Sequence, residues 1–361
     1  MCIDEIRRVA ACGIDLEIVA VDNGSSDGTG LMLRREASLF HAFRIINEPR
    51  RGYGFAYMAG LKAATGRYLF MADADGSYSF VRIKEFVSAL SSGADMAVGN
   101  RFAGLMESGA MPWAHRYIGN PALSFLVRII FGVKIKDVHC GARALTRDAF
   151  RRLDLRTGGM EFASEMIIKA AKSGMTIAEI PVEYRLRLGR SKLRSFSDAL
   201  RHLIFILLFS PLYMFVIPGA VCFLATAAGI AVQLSGAQGN SDASDYEWRL
   251  FFFSSAVFIG YQIVVCGGFA KVYAVNRLGD KEPVIEKMFR HLNIVRVCAA
   301  AVATVAVGAA FSVFPYCNAG IYAPRGISCL ESGVIGLTIT LIGVQTLFSA
   351  FVFSMLGIKG K

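Results

Sequence analysis

The stretch LEIVAVDNGSSDGTG, residues 16–30, sets a run of β-branched and apolar residues directly before a turn rich in Gly, Ser and Asp. That order predicts a strand ending at Asp22. The rhythm recurs in FRIINE (43–48), RYLFMAD (67–73) and ADMAVGN (94–100), with helical patterns between. Strands alternating with helices predict βαβ units around a mainly parallel, Rossmann-like sheet, an α/β domain. Ligands of open α/β sheets bind at the carboxyl ends of the strands, so the turns NGSSDGTG and ADGSYS are expected to build the site.

Beyond Arg201 charge nearly vanishes and four apolar stretches follow, and a hydrophobic fraction of 54% with a mean hydropathy of +0.47 exceeds that of ordinary soluble domains. Each stretch can cross a hydrocarbon core, which takes roughly 20 helical residues. The chain therefore divides into an α/β domain over 1–194, an amphipathic interfacial helix over 195–210 and a helical membrane domain over 211–361, with spans near 212–234, 250–274, 293–315 and 333–356. The connection between the second and third spans carries Lys271, Arg277, Lys281, Lys287 and Arg290, whereas the other two have only Arg249 and Arg325. Positive-inside counting puts the basic loop, the α/β domain and both termini in the cytoplasm. Cys317 and Cys329 then share an outer loop, where an oxidising compartment would permit a disulfide. The opening residues carry no signal-peptide pattern.

A net charge of +11 fits nucleic acid, an anionic membrane or a phosphorylated substrate, so its sign decides nothing. The eight Cys contain no Cys-x-x-Cys pair, which argues against zinc ribbons, iron–sulfur clusters and thioredoxin-like sites. Asp22 can accept hydrogen bonds from a base or ribose; the plain alternative is an Asx-turn capping the next helix. Asp73 and Asp75, one residue apart at a strand end, can present carboxylates to a hard divalent cation bridging a diphosphate. A calcium loop starting at Asp73 fails on spacing, since Tyr78 and Lys84 stand where Gly and Glu are required. RGYGFAYMAG is no dinucleotide fingerprint, because Tyr57 occupies the place of the third Gly. His139 and Cys140 are adjacent, so on an extended segment their side chains point to opposite faces, against a dyad. Basic residues between Arg185 and Arg201 suit an anionic lipid surface.

Taken in order, VDNGSSDGT (21–29), NEPRRGYGFAYMAGLKAATG (47–66), MADADGS (71–77), VGNR (98–101), KDVHCGARALTRDAF (136–150) and MEFASEMIIKAAKSGMTIAEIPVEYRLRLGRSKL (160–193) resemble family 2 glycosyltransferases of the GT-A fold. The branch they resemble is the polyprenyl-phosphate, dolichol-phosphate-mannose-synthase-like one. The resemblance implies that Asp22, with Gly24 and Ser25 of its turn, reads the nucleoside. It implies that Asp73 and Asp75 hold Mg²⁺ or Mn²⁺ and the donor diphosphate, with Ser77 where the branch often has Gln. Arg101 matches a basic residue near the donor, and Asp137 the acid proposed as base or acceptor-orienting group; a turn cap before Gly141 is the plain alternative. Arg187, Ser191 and Lys192 match residues that reach the donor diphosphate or lipid phosphate.

The implied reaction is metal-dependent, inverting transfer of one sugar from a UDP- or GDP-sugar to a polyprenyl phosphate, at the cytoplasmic face of a bacterial inner membrane. Membrane lipids are expected partners and nucleic acid is not; self-association is left open. The family normally begins with a strand carrying a Pro-x-x-Asn-Glu-type segment, and Met1 falls in the helix that should follow it, so the first strand is expected to be missing, through a late start or degeneration. A non-catalytic scaffold is the alternative the second case would favour. A processive polysaccharide synthase would need a Gln-x-x-Arg-Trp signature, and neither Trp113 nor Trp248 follows an Arg.

Overall fold

The computed structural model describes residues 2–11, 13–40, 42–189, 195–235, 243–277, 294–317 and 329–357. The chain forms two compact units, Met1–Ile206 and Leu207–Lys361.

In the first unit the alternation read from the sequence is realised as α1 (Cys2–Ala11), β1 (Ile18–Asp22), α2 (Thr29–Ala37), β2 (Phe43–Asn47), α3 (Tyr53–Ala63), β3 (Tyr68–Met71), α4 (Ile83–Ser91) and β4 (Met96–Asn100). It continues with α5 (Asn120–Phe131), β5 (Arg143–Thr146), α6 (Arg147–Leu153), α7 (Phe162–Lys172), β6 (Ile177–Pro181) and the start of α8 (Ser195–Phe209). Strands β1 and β2 pair in parallel from Ile18–Phe43 to Asp22–Asn47. The other four form a sheet in the order β3-β5-β4-β6, with β4 and β6 parallel and β5 antiparallel to both neighbours. The sheet is thus mixed, because β5 returns through KDVHCGARALT and fills the gap between β3 and β4.

No ladder joins the two sheets: β1 pairs only with β2, and β3 only with β5, among the described residues. Helices carry the connection instead. The apolar side of α1 packs Ile6 and Val9 against Phe80 and Ile83, and Glu5 accepts from the Phe80 amide and from Arg185. Helix α3 packs on β1 and β2 and also meets α7, its Gly54 amide bonded to the Gly158 carbonyl at 2.9 Å. A Cβ at Gly54 would lie 2.1 Å from the Thr157 carbonyl, so only glycine permits this approach. Strand β4 is buried along its whole length, as expected when helices cover both faces of a sheet.

The second unit contains α9 (Ile217–Leu234), α10 (Ala243–Arg277), α11 (Ile294–Cys317) and α12 (Cys329–Gly357). Among the described residues, four segments are long and apolar enough to cross a membrane: Tyr213–Gln233, Asp245–Asn276, Ile294–Val313 and Leu330–Leu356. They meet the four spans read from composition. Small residues let the helices touch: a Cβ at Gly308 would stand 2.7 Å from the Gly336 carbonyl, and one at Gly219 would stand 2.9 Å from that of Gly260. The basic loop over 278–293 and the side chains of Cys317 and Cys329 lie outside the described residues.

Candidate functional site

At the end of β1, Asp22 accepts the Ser25 amide at 2.9 Å, and the turn is closed by Gly24 at φ 73°, a left-handed conformation that glycine adopts without strain. Bonds from the Ser25 amide and hydroxyl hold the Asp22 carboxyl below its usual pKa. The neighbouring Asn23 is a residue the motif reading passed over. Its amide donates to the carbonyls of Glu48 and Arg50 and its oxygen accepts the Gly52 amide at 2.8 Å, tying the β1 turn to the loop before α3. Glu48 is itself forked by Arg50, whose bonds bring its pKa down to about 2.

At the end of β3, Asp73 and Asp75 stand on a turn closed by Gly76 at φ 79°. The Asp73 carboxylate accepts a 2.7 Å hydrogen bond from the Tyr57 hydroxyl, while its other oxygen lies against Gly141, where a Cβ would come within 2.7 Å. Burial and the neighbouring Asp75 charge raise the Asp73 pKa, opposed by the Tyr57 bond and by Arg187. Asp75 accepts from the amide and hydroxyl of buried Ser77 and faces Arg187 at 3.7 Å. The segment bearing Arg187 is pinned there by its backbone, the Leu188 amide donating to the Asp75 carbonyl at 2.7 Å and the Arg185 amide to that of Ser77. Two carboxylates and a guanidinium that lie far apart in sequence therefore converge. Ser191 and Lys192 lie outside the described residues.

Tyr57 also escaped the sequence reading, where it counted only as a misplaced glycine. The available signal was its place one helical turn after Tyr53; the two rings meet at 4.7 Å, and Tyr57 stacks on Phe162 at 6.0 Å. Replacing Tyr57 by Phe keeps the stack and removes one bond to the anion, so the Asp73 pKa rises further. The acid limb of the pH–activity profile is expected to move to higher pH, with the alkaline limb unchanged. A pH profile of the purified variant checks this.

Arg101 and Asp137 form one buried unit. The guanidinium donates to both carboxylate oxygens at 2.7 and 2.8 Å, its backbone amide adds a third bond, and Tyr184 covers the Arg101 head at 5.2 Å. Burial opposes the Arg101 charge, and Asp137 outweighs it, holding the arginine well above its ordinary pKa. Asp137 exposes no surface, so in this arrangement it acts as the counter-ion of Arg101 rather than as a turn cap. The adjacent His139 and Cys140 point apart: burial pushes the Cys140 thiol up to about 12, while His139 packs edge-on against His202 at 4.6 Å and lies within 3.3 Å of the Ser164 hydroxyl. Burial, then His202 and the arginines, hold His139 neutral.

Among the described residues no three His, Cys, Asp or Glu side chains form a cage for a metal. Asp73 and Asp75 supply two hard oxygen ligands, a set that suits Mg²⁺-type binding in which substrate phosphates and water complete the coordination.

Residues 2–154 match Glycosyl transferase family 2, and residues 268–357 match the Glycosyltransferase family 2 C-terminal transmembrane region. The low-salt glycan biosynthesis hexosyltransferase Agl6 of Haloferax volcanii is 30% identical, the alignment covering 98% of this chain and 85% of that protein. The polyprenol monophosphomannose synthase of Mycolicibacterium smegmatis is 31% identical over 52% of this chain and 74% of its own. Among solved structures, glucosyl-3-phosphoglycerate synthase of Mycobacterium tuberculosis, crystallised with Mn²⁺, UDP and glucosyl-3-phosphoglycerate, superposes with a TM-score of 0.44 at 18% identity, covering 57% of this chain and 74% of that one. A mixed α/β sheet carrying paired aspartates at a strand end, followed by four membrane-length helices, completes what these matches describe: the chain belongs to glycosyltransferase family 2, with a GT-A catalytic domain and the family's transmembrane region, in an integral membrane protein.

Proposed function

We propose that this glycosyltransferase moves one sugar from a UDP- or GDP-sugar onto a polyprenyl phosphate, giving a lipid-linked monosaccharide and a nucleoside diphosphate. The observation that carries this reading is the convergence of Asp73, Asp75 and Arg187 at one strand end, in a chain that also carries membrane helices. A divalent cation held by Asp73 and Asp75, with Ser77 beside them, would supply positive charge to the donor diphosphate as it leaves. Arg187, joined by Lys192 and Ser191, would bind phosphate oxygens, the guanidinium bidentately.

An oxygen of the acceptor phosphate attacks the anomeric carbon as the bond to the diphosphate breaks, and the electron pair departs with the diphosphate, giving inversion. That phosphate is already anionic near neutral pH, so it requires little general-base help, and positioning with charge stabilisation carries the rate. This chemistry is compatible with Asp137 serving as a counter-ion. Asp22 and its turn read the nucleoside. The catalytic domain and both termini face the cytoplasm of a bacterial inner membrane.

The test is sugar transfer by the full chain in membranes, with labelled UDP- and GDP-sugars, a polyprenyl phosphate, and EDTA as a control. A chloroform-soluble sugar product from one donor, abolished by EDTA and restored by Mg²⁺ or Mn²⁺, is the expected result. Transfer only to a water-soluble acceptor would refute the lipid assignment.

A further inference from the structure

The loop between α5 and β5 is fastened along its length. Asp137 is forked by Arg101, the Val138 amide donates to Ser124, and the Gly141 amide donates to the Tyr78 hydroxyl at 2.8 Å. Arg143 of β5 donates to the carbonyls of Val138 and Cys140, and to that of Ala163 in α7. His139 makes the loop's contact with α8. Its Nε2 lies 3.3 Å from the Ser164 hydroxyl of α7, and the same hydroxyl stands 2.9 Å from Nδ1 of His202, with Ser164 wholly buried. His202 belongs to α8 and is 7% exposed, and the next turn buries Phe205 and Ile206. Helix α8 runs on in sequence towards the first apolar span at Tyr213. A buried polar chain therefore joins the helix that leads to the membrane to the loop that holds Asp137 and sets Gly141 against Asp73.

This chain has room for one proton in each contact. Nδ1 of His139 is buried and meets no hydrogen-bond partner among the described residues, as suits the bare nitrogen of a neutral ring. Nε2 then donates to Ser164, and the Ser164 hydroxyl donates to His202. A second proton on His139 would sit on Nδ1 as a buried, charged donor without an acceptor. Charge opposes it as well: His202, then Arg101 at the end of β4 and Arg143 on β5, all act against a cation there. The acids of the surrounding elements are engaged. Asp137 holds Arg101, Glu165 of α7 holds Lys169 and the amides of Arg156 and Thr157, and Glu179 of β6 holds the amides of Lys136 and Asp137. On α8, Asp198 and Arg201 precede His202 by four and one positions in sequence. Burial first, then these cations, put His139 well below the ordinary histidine pKa. The docked arrangement therefore loses stability as pH falls below about 6.5, where a released ring takes up the proton that the docked ring refuses.

We propose that His139, Ser164 and His202 form a proton-sensitive latch, which holds α8 to the loop of Asp137 while His139 is neutral and loosens when that ring is protonated. The latch is independent of the choice of sugar and acceptor.

Deuterium exchange of the full chain in nanodiscs tests it without substrate. Labelling times are scaled to the intrinsic rate at each pH, and peptides covering residues 199–206 are compared with those of α4, which contains no histidine. Between pH 7.5 and 5.5, wild type is expected to lose about tenfold of its α8 protection relative to α4, the effect of one proton over one unit below the free histidine value. His139→Gln, whose amide can still donate to Ser164 but takes up no proton, is expected to keep that protection. Ser164→Ala cuts the chain and is expected to expose α8 at pH 7.5 already. Equal protection of wild type at the two pH values overturns the proposal, as does a loss of the same size in His139→Gln or wild-type protection in Ser164→Ala. Where a variant does not fold, the wild-type comparison decides alone.

Discussion

Asp75→Asn is expected to lower sugar transfer by about 10²–10³-fold while leaving the chain folded and inserted. Asn keeps the carbonyl oxygen that accepts the Ser77 amide and hydroxyl, and the contact it loses, to half-exposed Arg187 at 3.7 Å, is long and partly hydrated. A weak ion pair of that kind contributes little to stability. What disappears is one of the two carboxylate charges that the proposed cation requires, so the defect should fall on the rate and on the metal concentration giving half-maximal activity, with an unchanged thermal melt. Titrating Mn²⁺ against the initial rate of wild type and variant measures both. Undiminished transfer by the variant would remove Asp75 from the metal site.

Asp137→Ala is expected to destabilise the first unit by about 3–5 kcal/mol, the cost of stranding a buried arginine without its counter-charge. In a domain of this size that amounts to a fall of roughly 10 °C in melting temperature. Replacing both partners, Asp137→Leu with Arg101→Met, is expected to recover most of the loss, because neither charge then remains unpaired. Circular dichroism melts of the single and double variants check the pair, and Asp137→Asn separates two roles for the carboxylate. A counter-ion loses stability when made neutral, whereas a general base loses turnover at an unchanged melting temperature.

Local patterns carried the strands and spans. LEIVAVD, FRIINE, RYLFMAD and ADMAVGN became β1 to β4, and the stretch 195–209 became α8, because period and turn chemistry act within a few residues. The antiparallel insertion of β5 was not legible, since register between β3 and β4 depends on residues more than forty positions apart. Separations of 16 and 36 residues hid the partners of the site. Nothing near Arg101 in sequence names Asp137, and nothing near Tyr57 names Asp73; the pairs exist because a loop returns to the end of β4 and a helix to the end of β3.

Helix α3 is tied to both turns of the site. Asn23, in the turn after β1, accepts the Gly52 amide just ahead of the helix, and Tyr57, one turn in, holds Asp73. A helix fastened near its start to two separate strand ends works as a lever: a small rotation about its axis would shift the turn of Asp22 and the carboxylate of Asp73 together, so a contact made at one would be felt at the other.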